Sequence, residues 1–160
     1  MSAAVDTKPL ATRELTITRI FDAPRELVFK AWTDPKQLAK WWGPKGFTNP
    51  VCEANAKPGG AIWIVMRAPD GTEYPMKGIF REIVEPERLV FVVTPVDLVG
   101  TSLIEAITTV TFAEQGAKTR VTVHARAVAL VAIGVRMIEG IEAGWSQSLD
   151  RLGELMAGTR

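Results

Sequence analysis

The stretch from Val135 to Met156 constrains the fold more than any other part of the chain. On a helical wheel at roughly 100° per residue, Met137, Ile138, Ile141, Trp145, Leu149, Leu152, Leu155 and Met156 gather within an arc of about 120°. Arg136, Glu139, Ser146, Gln147, Asp150 and Glu154 fall opposite. The pattern predicts one long amphipathic helix whose apolar stripe must lie on something. Gly140 and Gly144 sit at the rim of that stripe. An interior glycine costs a helix roughly 1 kcal/mol against alanine. A helix carries that cost where a neighbour must approach its backbone, or where space is held open.

The surface that covers the stripe is read from the preceding segments. Leu15–Phe21 is strand-like, rich in threonine and isoleucine. Asp22-Ala23-Pro24 and Asp34-Pro35 are two helix starts, a capping carboxylate followed by proline. The first leads into Leu27, Val28, Ala31 and Trp32 at helical spacing; the second runs to Trp41 and stops at Gly43-Pro44. Strands follow at 47–54, 62–67, 72–84, 89–94, 102–112 and 119–126. Turns at Pro58-Gly59-Gly60, Asp70-Gly71, Glu85-Pro86-Glu87-Arg88 and Gln115-Gly116 separate them. The order is strand, two short helices, six strands, long helix. An antiparallel sheet with a helix across one face is an α+β arrangement.

Composition narrows the function classes. The chain has 160 residues, one domain's worth, and a net charge of +1 without a basic stripe, which speaks against a nucleic-acid partner. Residues 1–13 read as a flexible tail ahead of a single domain over 14–158. A lone cysteine, Cys52, and a lone histidine, His124, leave no cysteine- or histidine-built metal site, and no cofactor is expected. No apolar run reaches the ~18 residues of a membrane span. The first thirteen residues lack the apolar core of a signal peptide, so a cytoplasmic protein is expected.

Several motifs, in order, carry a family resemblance. They are Phe21-Asp22-Ala23-Pro24-Arg25-Glu26-Leu27-Val28-Phe29, Ala31-Trp32-Thr33-Asp34-Pro35 and Trp41-Trp42-Gly43-Pro44-Lys45-Gly46-Phe47. Pro58-Gly59-Gly60, Pro69-Asp70-Gly71-Thr72-Glu73-Tyr74-Pro75 and Gly144-Trp145-Ser146-Gln147-Ser148-Leu149 continue the series. Together they resemble the bacterial homologues of the activator of heat shock protein 90 ATPase, in the START-like (SRPBCC) superfamily, over residues 15–158. The resemblance implies a helix-grip fold. Its parts are a curved seven-stranded antiparallel sheet around a long C-terminal helix, with two short helices after the first strand. The superfamily includes lipid carriers, hormone receptors, aromatase/cyclases and the chaperone co-activator, and the fold alone does not choose among them. The chain departs from the family pattern at Trp63 and in the wholly apolar 127–133 segment.

Strand phase sorts the candidate side chains. Val121, Val123 and Ala125 share one face; His124 points outward among charges. Trp63 shares the wetter face with Arg67, which makes it and the 127–133 segment the candidate homodimer contact. Extending the 76–80 alternation places Glu82 at the inner rim, and Glu105 is a similar carboxylate on a strand. These two are the candidate catalytic acids, each with pairing to a nearby arginine as the plainer reading. Cys52 reads as a small buried hydrophobe. Gly59-Gly60 lacks the lysine and hydroxyl of a phosphate loop, and Ser146 and Ser148 show no partner base. Trp41-Trp42 is the leading binding feature, since adjacent helical residues cannot both face the core.

The leading expectation is a binder of a small apolar or amphipathic molecule between the C-terminal helix, the strands and the 41–47 loop. Trp41, Trp42, Met66, Met76, Phe80, Phe91, Ile141 and Trp145 are its expected walls. A co-chaperone-like module with a chaperone partner is the second reading. The third is a cofactor-independent lyase, cyclase or isomerase using Glu82 or Glu105.

Overall fold

A computed structural model describes residues 10–159; most of the expected N-terminal tail lies outside them. The chain runs β1 (Ala11–Phe21), α1 (Arg25–Thr33), α2 (Pro35–Trp41), β2 (Thr48–Ala54), β3 (Ala61–Arg67), β4 (Glu73–Val84) and β5 (Arg88–Pro95). It continues through β6 (Ile104–Gln115), β7 (Lys118–Ala129), α3 (Ala132–Glu139) and α4 (Ile141–Thr159). The seven strands form one antiparallel sheet in the order β1-β7-β6-β5-β4-β3-β2. Every neighbour except the β1–β7 pair is consecutive in the chain: α1 and α2 carry the chain from β1 to β2 at the opposite edge, and hairpins then lead back strand by strand to β7 beside β1. This is the expected α+β helix-grip architecture.

The first strand begins earlier than the sequence pattern suggests. Ala11, Thr12 and Arg13 pair with Ala129, Val128 and Ala127. Polar composition hides them because β1 is an edge strand, and only Leu15 and Phe21 are buried along it.

The two short helices form where the capping signals put them. The Asp34 carboxylate accepts from the Lys36 N–H at 3.0 Å, capping α2, while Pro35 occupies its first turn. Val28, Phe29, Ala31 and Trp32 of α1 and Leu38 and Trp41 of α2 are buried. They close one end of the concave sheet face.

That concave face alternates by residue. On β6 it receives Ile104, Ala106, Thr108, Val110 and Phe112; on β7, Val121, Val123, Ala125, Ala127 and Ala129. The side chains shrink toward the C-terminal end of β7, so α3 can come close there. A Cβ on Gly134 would stand 2.3 Å from the Leu103 carbonyl oxygen, and so α3 requires glycine at this point. This contact explains the apolar 127–133 segment: its β7 alanines are core, and only Leu130 and Ile133 present large apolar side chains to solvent.

The expected single helix is two. Gly140 ends α3 with φ −93° and ψ 2°, its N–H turned to the Met137 carbonyl at 3.2 Å. The Gly144 N–H then bonds the Gly140 carbonyl at 2.9 Å as α4 begins. The wheel pattern survives the break because both helices lean on the same sheet: Ile138, Trp145, Leu149, Leu152 and Met156 are all buried. Among the described residues no helix is long and apolar enough to cross a membrane.

Candidate functional site

The sheet, α4 and the loop after α2 do not close completely on one another. They leave a cavity of about 260 Å³. Its floor comes from Met76, Val93, Pro95, Ile104, Ala106 and Thr108 on β4, β5 and β6. Met137, Gly140, Ile141, Gly144, Trp145 and Ser148 form the helical side. Trp42, Gly43, Pro44 and Met66 complete it. No Lys, Arg, His, Asp or Glu is among these residues.

Small side chains create the space and large ones limit it. Ala106 thins the floor, and a Cβ on Gly144 would meet no atom within 4 Å. The rim glycines of the stripe therefore include one that holds volume open. At the other end the aromatic cluster is solid. Trp145 stacks on Trp32 with ring centroids 5.8 Å apart, and meets Trp42 edge-on at 5.5 Å. Edge-to-face and stacked pairs of this kind hold ring orientation as well as burying area.

The loop wall is held by α4. The Ser148 hydroxyl accepts from the Gly43 N–H at 3.1 Å, and Gln147 Oε1 accepts from the Lys45 N–H at 2.9 Å. One nitrogen of Arg151, Nη1, donates to the carbonyls of Trp42, Gly43 and Pro44, and Nη2 donates to that of Lys40. Burial pulls the Arg151 guanidinium below its ordinary pKa, and the charge of Glu154 opposes the shift. Gly43 itself sits at φ +97°, a conformation that suits glycine, and this sharp turn brings the loop against Met66.

The expected walls divide into two groups. Trp42, Met66, Met76, Ile141 and Trp145 do line the cavity. Trp41, Phe80 and Phe91 do not. Trp41 is wholly buried, with its indole N–H donated to the Ala31 carbonyl at 2.9 Å, so it joins α2 to α1. Phe80 and Phe91 pack against each other beneath Trp42, bordering a void of only about 10 Å³. Against expectation both tryptophans are buried: Trp42 stands just past α2 in an extended conformation (φ −64°, ψ 133°), so it turns inward beside Trp41 and also reaches the cavity.

Both candidate acids face away from the cavity. A bulge between Phe80 and Glu82 resets the alternation of β4, because Phe80 pairs with Phe91 while Glu82 pairs with Val90. Glu82 is exposed and accepts from Arg88 Nε at 2.6 Å. Glu105 lies on the outer face beside exposed Ile107, between buried Ile104 and Ala106. His124 also faces outward and bonds Glu14 at 2.5 Å. Trp63 is 37% exposed on the outer face, as its strand phase predicts.

Thr108 has no place among the sequence expectations, and Ser148 enters them only as a serine without a partner base. Both are polar residues whose shared place on the cavity emerges only when β6 and α4 are placed together. Thr108 was legible in principle, as the hydroxyl in the alternating run Ile104, Ala106, Thr108, Val110, Phe112.

Comparison with known proteins gives a family and a set of folds. Residues 22–157 match the family model described as "Activator of Hsp90 ATPase homolog 1-like protein". A crystal structure of a Chromobacterium violaceum protein is similar with a TM-score of 0.75 and 29% identity, covering 89% of this chain and 96% of that one. A solution structure from Arthrobacter aurescens gives a TM-score of 0.78 at 24% identity, covering 94% and 93%. The AHSA1 protein of Silicibacter pomeroyi gives 0.78 at 23% identity, covering 92% and 100%. No curated protein matches the chain.

Proposed function

Because the chain belongs to the Activator of Hsp90 ATPase homolog 1-like protein family, of the START-like fold, we propose that it binds a small apolar or amphipathic molecule in the cavity beneath α4. One observation carries this reading: a cavity of about 260 Å³ whose lining contains no ionisable side chain. The space opens to solvent, and its apolar walls offer water there few hydrogen-bond partners, so an apolar molecule that covered them would release that water favourably. Gly144 on its helical side carries a cost of its own, since alanine there would strengthen α4 and meet no neighbour. A cavity maintained at this expense supports a use for it.

The test is native mass spectrometry of freshly purified protein against its denatured mass, for the wild type and for Gly144→Leu. The reading expects a non-covalent extra mass on the wild type that Gly144→Leu, which fills the cavity, does not carry. The same extra mass on both proteins would place the bound molecule elsewhere. A family description naming a chaperone ATPase activator supports a second reading, a co-chaperone surface. It predicts stimulation of Hsp90 ATPase that Gly144→Leu leaves unchanged.

A further inference from the structure

The cavity contains one polar group that the fold itself does not explain. Thr108 lies on β6, borders the cavity and is fully buried, yet its Oγ1 has no hydrogen-bond partner. Buried hydroxyls in folded proteins are nearly always partnered, and one left alone is destabilising. On the helical side, Ser148 is 5% exposed and borders the same cavity. Its oxygen already accepts from the Gly43 N–H. Ser148 keeps its own proton to donate, and one further lone pair.

Resting on the cavity reading above, we propose that the site selects neutral molecules carrying one hydrogen-bond acceptor on an apolar body. A ketone, ester or ether oxygen would take the Thr108 proton, with the Ser148 hydroxyl as a second donor. The body sits among Trp42, Trp145, Met66, Met76 and Met137, whose thioethers and indoles adapt to varied apolar shapes. Carboxylates and phosphates are disfavoured because no cationic side chain borders the cavity to replace lost hydration. Size agrees with a bicyclic body, since a cavity of about 150 Å³ already accommodates benzene.

Three probes of nearly equal shape test this: 2-acetylnaphthalene, 2-ethylnaphthalene and 2-naphthoate. Their affinities are measured at pH 7.5 by tryptophan fluorescence and calorimetry on the wild type and on Thr108→Val, which keeps the volume and removes the hydroxyl. The proposal expects the ketone to bind about fivefold tighter than the hydrocarbon. Naphthoate should be at least about tenfold weaker than the ketone. Thr108→Val should erase the ketone's advantage while leaving hydrocarbon affinity within about twofold. Naphthoate binding as tightly as the ketone overturns the proposal, and so does a ketone advantage that persists in Thr108→Val. If the hydrocarbon binds and the ketone has no advantage, the selectivity falls while the cavity reading stands. If no probe binds the wild type, both fall. Should Thr108→Val not fold, the wild-type order of the three probes decides.

Discussion

Arg151 holds the Trp42 carbonyl at 3.0 Å from a single guanidinium nitrogen that also holds those of Gly43 and Pro44. An arginine on the last helix thus fixes the loop that carries a cavity wall, with no carboxylate involved. Arg151→Ala strands several partly buried carbonyls at once. Hydrogen bonds to a charged group contribute about 1.5–3 kcal/mol each, but this set shares one donor group and is partly solvated, so a loss of about 2 kcal/mol is expected. Urea unfolding measures it. Hydrogen exchange should show faster amides at Gly43 and Lys45, while those of β6 and β7 keep their protection relative to global unfolding. Arg151→Lys should recover less than half of the loss, because an ammonium cannot reproduce the planar fork.

Gly144 gives a prediction of opposite sign. It lies within α4, and a Cβ there meets nothing within 4 Å. Gly144→Ala should therefore stabilise the protein by about 0.5–1 kcal/mol through helix propensity and reduced freedom of the unfolded chain. Thermal and urea unfolding check it. Gly134→Ala is the internal control, since its Cβ would collide with the Leu103 carbonyl oxygen at 2.3 Å, and it should destabilise.

These two glycines show what the sequence makes legible. The wheel over 135–156 identifies the buried stripe and marks Gly144 as a place where space is kept. It does not reveal the break at Gly140, because α3 and α4 lie against one sheet and keep a common apolar side across the interruption. Strand alternation places Trp63, His124 and the β7 core correctly. It fails at Glu82, where one extra residue in β4 reverses the phase, and no glycine or proline announces the bulge. The pocket walls are half legible for a similar reason. Aromatic residues such as Phe80 and Phe91 signal burial, but whether they pack against each other or against a void depends on the depth of neighbouring side chains. Ala106, which thins the floor, carries almost no signal of its own, and Gly144 carries one only through its place on the wheel.

Asp34 was legible at once, and its contribution can be measured. Its carboxylate accepts from Lys36 N–H at 3.0 Å and from Gln37 Nε2 at 3.4 Å. The helix it caps is only seven residues long, ends at buried Trp41 and sets the position of Trp42, the cavity-lining residue that follows. Asp34→Ala should cost about 1 kcal/mol, and Asp34→Ser, which keeps a capping oxygen, should recover most of it. Chemical denaturation of the three proteins side by side checks both statements.

Cys52 gives the fold a dependence on alkaline pH that can be measured. It lies on β2 opposite Ile64 and packs against the core. Burial, and secondarily the charge of Glu53, push its thiol from an ordinary value of 9.0 up to about 11. The sign follows from proton counts. Between those two values the unfolded chain has lost the proton and the folded chain still holds it. Stability from this group is intact below about pH 9 and falls as pH rises toward 11. Urea midpoints from pH 8 to 11 should therefore decline more steeply for the wild type than for Cys52→Ala. The same shift makes the thiol unreactive at neutral pH. Its thiolate fraction at pH 8 is about a hundredfold below that of an unperturbed cysteine, so alkylation by iodoacetamide should be slowed by about that factor. The rate should climb with pH toward a midpoint near 11 in the folded protein and near 9 in urea. A folded protein that alkylates with a midpoint near 9 would mean that Cys52 is solvated and that edge strand β2 opens more readily than its packing implies.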